Sequence, residues 1–137
     1  MGKKCILLLA LLTVLVGIII FISCGEQRVR CETGINNLDH YYILEFEKMN
    51  QEESYVISAC KDDVFDVNFR IDQGRVDFII GMDGEAPIYK GNNIETGMFE
   101  VIAPEDGEYR ITVNAKRASG FIKVYAKRGN KENECKL

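Results

Sequence analysis

Residue types that carry catalysis are thinly spread along this chain. Nucleophilic catalysis needs an imidazole or an equivalent base beside a Ser or Cys, and the one histidine, His40, reads as a solvated turn residue at the edge of the candidate domain. No GxSxG, P-loop, HExxH or dinucleotide fingerprint is present. Carboxylates are more plentiful. Glu45 with Glu47 and Glu52 with Glu53 read as the wet side of strands or a turn, although a converging pair would suit a small carboxylate-dependent hydrolase. Asp62, Asp63 and Asp66 form one loop cluster and Asp83 with Glu85 another, without EF-hand spacing. They are candidate calcium ligands against the plainer reading of solubilising turn acids. No CxxC or HxxxH spacing points to zinc. With no Trp in the chain, Tyr41, Tyr89 and Tyr125 are the best candidates for ligand contact. They fall on outward strand phases or in loops.

The elements that must position these residues have a period of two. In residues 64–72 Phe65, Val67, Phe69 and Ile71 point one way and Asp66, Asn68, Arg70 and Asp72 the other, which predicts a strand with one dry face. Asp72-Gln73-Gly74 reads as a turn, after which Val76, Phe78, Ile80 and Met82 repeat the alternation, so a hairpin is expected. Further strands are expected at 41–47, 54–60, 98–103, 108–115 and 121–127, with a short one near Ile88 to Lys90. Turn residues separate them at Lys61-Asp62-Asp63, Asp83-Gly84, Pro104 to Gly107 and Ala118-Ser119-Gly120. About eight short strands with no helical pattern among them predict an all-β domain. The expected architecture is an antiparallel β-sandwich of jelly-roll or Greek-key order, with a small closed barrel as the alternative. No strand is apolar on both faces for long, which argues against a helix-covered parallel sheet.

The stretch PEDGEYRITV at 104–113, followed by NAKRASGFIKV, resembles the last hairpin of small extracellular β-sandwiches of the bacterial pre-peptidase C-terminal type and of small clostridial, Gram-positive lipoproteins. The resemblance implies that Tyr109 delivers an aromatic ring to the edge of the core and that a Gly-containing turn brings the last strand back. It speaks for fold more than for function.

Residues 5–23 form an apolar run of 19 residues behind Lys3 and Lys4, long enough for an apolar signal or anchor helix. The run ends in Ile20-Phe21-Ile22-Ser23-Cys24-Gly25, which resembles a bacterial lipobox. That resemblance implies cleavage before Cys24 and lipid (diacylglycerol, palmitate-type acyl chains) on its sulfur. An uncleaved signal anchor is the alternative. The expected divisions are a signal peptide or anchor over 1–23, a polar tether over 24–40 and a β-sandwich over 41–137. Loss of residues 1–23 would turn the net charge of −4 into 15 basic against 21 acidic side chains, and that acidic total disfavours nucleic acid. Residues 116–137 are nonetheless basic, with seven Lys and Arg against two Glu, and pairing with acids on neighbouring strands is their simplest role.

Beyond Cys5 and Cys24, Cys31, Cys60 and Cys135 remain, an odd number. Cys31 precedes the expected first strand and Cys135 follows the last, so a Cys31–Cys135 disulfide is the preferred pair, with three reduced thiols as the alternative. The whole reads as a non-catalytic lipoprotein on the outer side of a bacterial cell membrane, an interaction or envelope-structural module needing no cofactor. Its expected partners are the membrane, through the lipid, and a protein or glycan. A calcium- or glycan-binding module and a small hydrolase are the alternatives.

Overall fold

Among the described residues, alternating side chains become seven strands, all paired antiparallel: β1 (Arg28–Asn36), β2 (Asp39–Met49), β3 (Glu52–Ala59), β4 (Val64–Gly81), β5 (Tyr89–Gly91), β6 (Gly97–Ile102) and β7 (Gly107–Lys127). The computed structural model describes residues 2–4, 6, 26–36 and 39–129. Cys24, Cys135 and, apart from Ile6, the apolar run with its expected helix lie outside the described residues. Among the described residues no helix is long and apolar enough to cross a membrane.

β4 and β7 are 18 and 21 residues long and pair with each other from Val64↔Lys127 to Gly81↔Arg110. Register shifts break this ladder on both sides of Gln73. At the same level Gly74 has φ +79°, Arg117 +49° and Gly120 +153°. A Cβ on Gly120 would collide with the carbonyl oxygen of Arg70, and one on Gly74 with that of Arg117. Glycine alone lets the two backbones cross here. The connection from β2 to β3 turns at this level too. Met49 pairs with Ala118, and the Ala115 N–H donates to the Gln51 carbonyl oxygen at 3.0 Å.

The consequence is a sheet folded over on itself. Phe65 sits opposite Ala126, which lies 17 residues from Tyr109 along β7. In a straight strand that separation is about 55 Å, yet the Phe65 and Tyr109 rings meet edge to face at 5.2 Å. The first layer runs β1–β2–β7(120–127)–β4(64–71)–β6, and the second β3–β7(107–116)–β4(75–81)–β5. With β1 set aside, that strand order is a jelly roll. The inward side chains, among them Leu44, Phe65, Val67, Ile122 and Val124 from the first layer and Ile57, Phe78, Ile80, Ile111 and Val113 from the second, are almost wholly buried in one core.

Four expectations change. Asp72-Gln73-Gly74 does not close a hairpin, and Ala118-Ser119-Gly120 does not reverse the chain. Both are the corner, which demands the same glycines and positive φ as a tight turn and so reads like one in sequence. The tether expected over 24–40 gives way to β1 over 28–36 and the start of β2, because this stretch pairs with β2 through nine unbroken pairs from Arg28↔Glu47 to Asn36↔Asp39. Finally, Cys31 does not form the expected disulfide. It is exposed and free, mid-strand opposite Leu44. Cys60 is disulfide-bonded instead, with a partner outside the described residues. The chain leaving β7 passes Cys60, since the Gly129 N–H donates to Asp63 Oδ1 at 3.2 Å and Asp63 Oδ2 accepts the Cys60 N–H at 2.8 Å.

Candidate functional site

Antiparallel pairing places outward residues of the first layer in rows across its open face. One row reads Gly34–Tyr41–Tyr125–Asp66–Glu100, the next Glu32–Ile43–Lys123–Asn68–Met98, and the third Arg30–Glu45–Phe121–Arg70. In β2, β4 and β7 the opposite phase goes to the core, so alternation there fixes which residues meet solvent.

Gly34 decides how Tyr41 lies. A Cβ there would stand 2.6 Å from the Tyr41 hydroxyl and 2.8 and 2.9 Å from its ring carbons, so the ring occupies the space over the edge glycine. Tyr125 is its neighbour, with ring centroids 6.2 Å apart and planes at 37°. Two amphipathic aromatic surfaces thus sit side by side away from the core. At the third row Phe121 holds two cations near its ring: Arg70 Cζ at 5.2 Å and Lys123 Nζ at 5.0 Å from the centroid. Beside it lies a groove of about 460 Å³ whose rim includes Arg28, Arg30 and Arg70 against Glu45, Glu47 and Asp72. Asp66 pairs with Lys127, whose ammonium is held above its ordinary pKa by that carboxylate.

Of the three tyrosines expected to contact ligand, the structure brings Tyr41 and Tyr125 together and removes Tyr89. Tyr89 stacks on Phe99 at 4.1 Å and leans on Phe78 at 6.0 Å, sealing the core under β5. Phe121, Lys123 and Arg70 were not anticipated as site residues. Their signal is the phase of residues 121–127: with Ile122, Val124 and Ala126 inward, Phe121, Lys123 and Tyr125 must share the outer face.

The acids expected to bind calcium do not converge. Asp63 is buried and accepts two backbone N–H groups, Asp66 takes Lys127, and both carboxylate oxygens of Asp83 accept from Arg110 at 2.8 and 2.9 Å. Arg110 also holds the Asp83 carboxyl below its ordinary pKa. Asp62 and Glu85 are exposed on separate turns. Among the described residues no group of three or more His, Cys, Asp or Glu is placed to hold a metal ion. His40 is part of β2, opposite Ile35 and Ala126, and not a loop residue. The free Cys31 thiol is pushed above its ordinary pKa by partial burial and by Glu53, the opposite of what a nucleophile needs.

No family model matches the chain, and no curated protein matches it. Among solved structures it is similar to CBM4, at 12% identity over 77% of this chain and 81% of that one with a TM-score of 0.39. It is also similar to PliG, a periplasmic lysozyme inhibitor of g-type lysozyme from Aeromonas hydrophila, at 14% over 75% and 85% with a TM-score of 0.41. A third similarity is to the Cnp3 cupin domain of Schizosaccharomyces pombe, at 17% over 74% and 61% with a TM-score of 0.38.

Proposed function

We propose that this chain is a non-catalytic binding module held by lipid on Cys24 at the outer side of a bacterial cell membrane. The open face of its first layer is then the contact surface for a glycan strand. The observation that carries the binding reading is the Tyr41–Tyr125 pair at 6.2 Å on a solvent-facing sheet surface, one ring laid over Gly34. Aromatic faces stack on the apolar faces of sugar rings, while Glu100 at the end of the same row and Asn68 and Lys123 in the next offer hydroxyls both donors and acceptors. A flat aromatic strip of this kind suits holding a sugar chain.

Affinity electrophoresis through gels containing soluble polysaccharides, together with sedimentation on insoluble peptidoglycan, tests the face. Retardation by at least one polymer that falls about tenfold or more in Tyr41→Ala and Tyr125→Ala, with unchanged thermal melting, supports the reading. Retention that survives both substitutions removes this face from the proposal. The anchor rests on the lipobox-like run and is tested by intact mass. Membrane-extracted protein is expected to lack residues 1–23 and carry acyl mass, and both changes are expected to vanish in Cys24→Ala. A full-length, unmodified mass rejects the lipid anchor and leaves the binding face to be judged on its own.

A further inference from the structure

β1 ends the first layer: β2 takes one of its edges, and among the described residues nothing pairs with the other. Such an edge carries a row of unsatisfied N–H and C=O groups and is a template for another strand. Proteins blunt exposed edges with brevity, proline, charged side chains or a bulge. β1 carries charges of both signs, Arg28, Arg30 and Glu32, and uses none of the other devices. It is nine residues long, contains no Pro or Lys, pairs with β2 without a register break and has no residue at positive φ.

Its sequence, RVRCETGIN, complements itself in one antiparallel register. Centring on Arg30 would set that arginine against its own copy, and centring on Glu32 would do the same to the glutamate; like charges directly opposed are unfavourable. Centring on Cys31 puts Arg30 opposite Glu32 twice and Val29 opposite Thr33 twice, with no like pair facing. The residue on the symmetry axis is then the exposed, free cysteine.

We infer that β1 is a dimerisation edge whose occupant is β1 of a second copy of this chain, antiparallel and centred on Cys31. The two-fold axis stands perpendicular to the sheet, so the two five-stranded layers join into one continuous layer of ten strands. Both open faces point the same way, and two Tyr41–Tyr125 pairs are presented side by side for bivalent contact. The pairing itself does not depend on the glycan reading, and the two fail separately.

The test uses full-length protein in nonionic detergent and the oxidant diamide, which takes up the two electrons and two protons that two thiols release on joining. A disulfide-linked dimer is expected, lost on reduction and absent in Cys31→Ser. Arg30→Glu alone or Glu32→Arg alone should slow cross-linking about tenfold, and the double variant should restore it, because the pairs are then only exchanged. Unchanged thermal melting of the single variants shows that they fold. In a Cys31→Ser background, Val29→Cys with Thr33→Cys should cross-link and Glu32→Cys should not. Each of three results overturns the proposal: a monomer by light scattering at about 100 μM, cross-linking indifferent to charge reversal, or efficient linkage through Glu32→Cys. Capture of an extended peptide at this edge by a protein that stays monomeric would overturn it as well.

Discussion

At the scale of single residues, the acids of this chain matter as acceptors. Asp63 is 8% exposed and accepts the backbone N–H groups of Cys60 and Gly129, tying the turn after β3 to the chain leaving β7. Removing the carboxylate leaves both donors without it, and an unsatisfied buried group costs about 1–3 kcal/mol. Asp63→Ala is therefore expected to lose about 2–3 kcal/mol in denaturant unfolding. Asp77 acts similarly at the surface. It accepts the Asn93 N–H at 2.7 Å, where Asn93 has φ +50°, and it pairs with Arg75 at 3.4 Å. The Asn93 hydrogen bond chiefly, and then Arg75, hold its carboxyl below the usual carboxylate pKa. A carboxyl depressed in the folded state adds stability above its unfolded pKa of about 4, and that contribution is lost as pH falls through the lower folded value. Asp77→Asn should thus be less stable than the wild type at pH 7, and the gap should close as the pH drops below about 4 in pH-dependent unfolding.

At the scale of elements, the corner is the feature on which the fold turns. Gly74 and Gly120 have φ of +79° and +153°, and at each a Cβ would strike a carbonyl oxygen of the opposing long strand. Strained backbone of this kind costs about 1–3 kcal/mol per residue, so Gly120→Ala and Gly74→Ala should each lower unfolding free energy by at least about 2 kcal/mol. Gly84, also at positive φ, has open space around it and should suffer less from the same change. This corner also marks the limit of what could be read from the sequence. Strand phases were legible where a strand has one dry side, as Phe65, Val67 and Phe69 of β4 show. The continuity of β4 and β7 was not, because Asp72-Gln73-Gly74 has the same local chemistry whether a chain reverses or bends. β1 was hidden for another reason: its residues are exposed on both faces except at Val29 and Gly34, so no hydrophobic contrast exposes its period. Tyr41 and Tyr125 were legible as outward aromatics. Their adjacency was not, because it depends on β2 pairing with β7 across 84 residues of sequence.

At the scale of the whole molecule, a disulfide involves Cys60 and leaves Cys31 out. Removing a native bridge from a small domain typically costs about 2–5 kcal/mol. Reduction, or Cys60→Ser, is expected to lower stability by about that much, whereas Cys31→Ser should stay within about 0.5 kcal/mol of the wild type. The opposite ranking in equilibrium unfolding would restore the pairing that the sequence first suggested. The two long strands carry a last consequence. Since β4 and β7 each give half their length to either layer, neither layer owns its central strands, and no cut in the chain separates one from the other. The molecule should accordingly open as one cooperative unit. Amide protons of Val67 and Phe78, which sit in different layers on the same strand, should exchange with the same free energy, set by global unfolding.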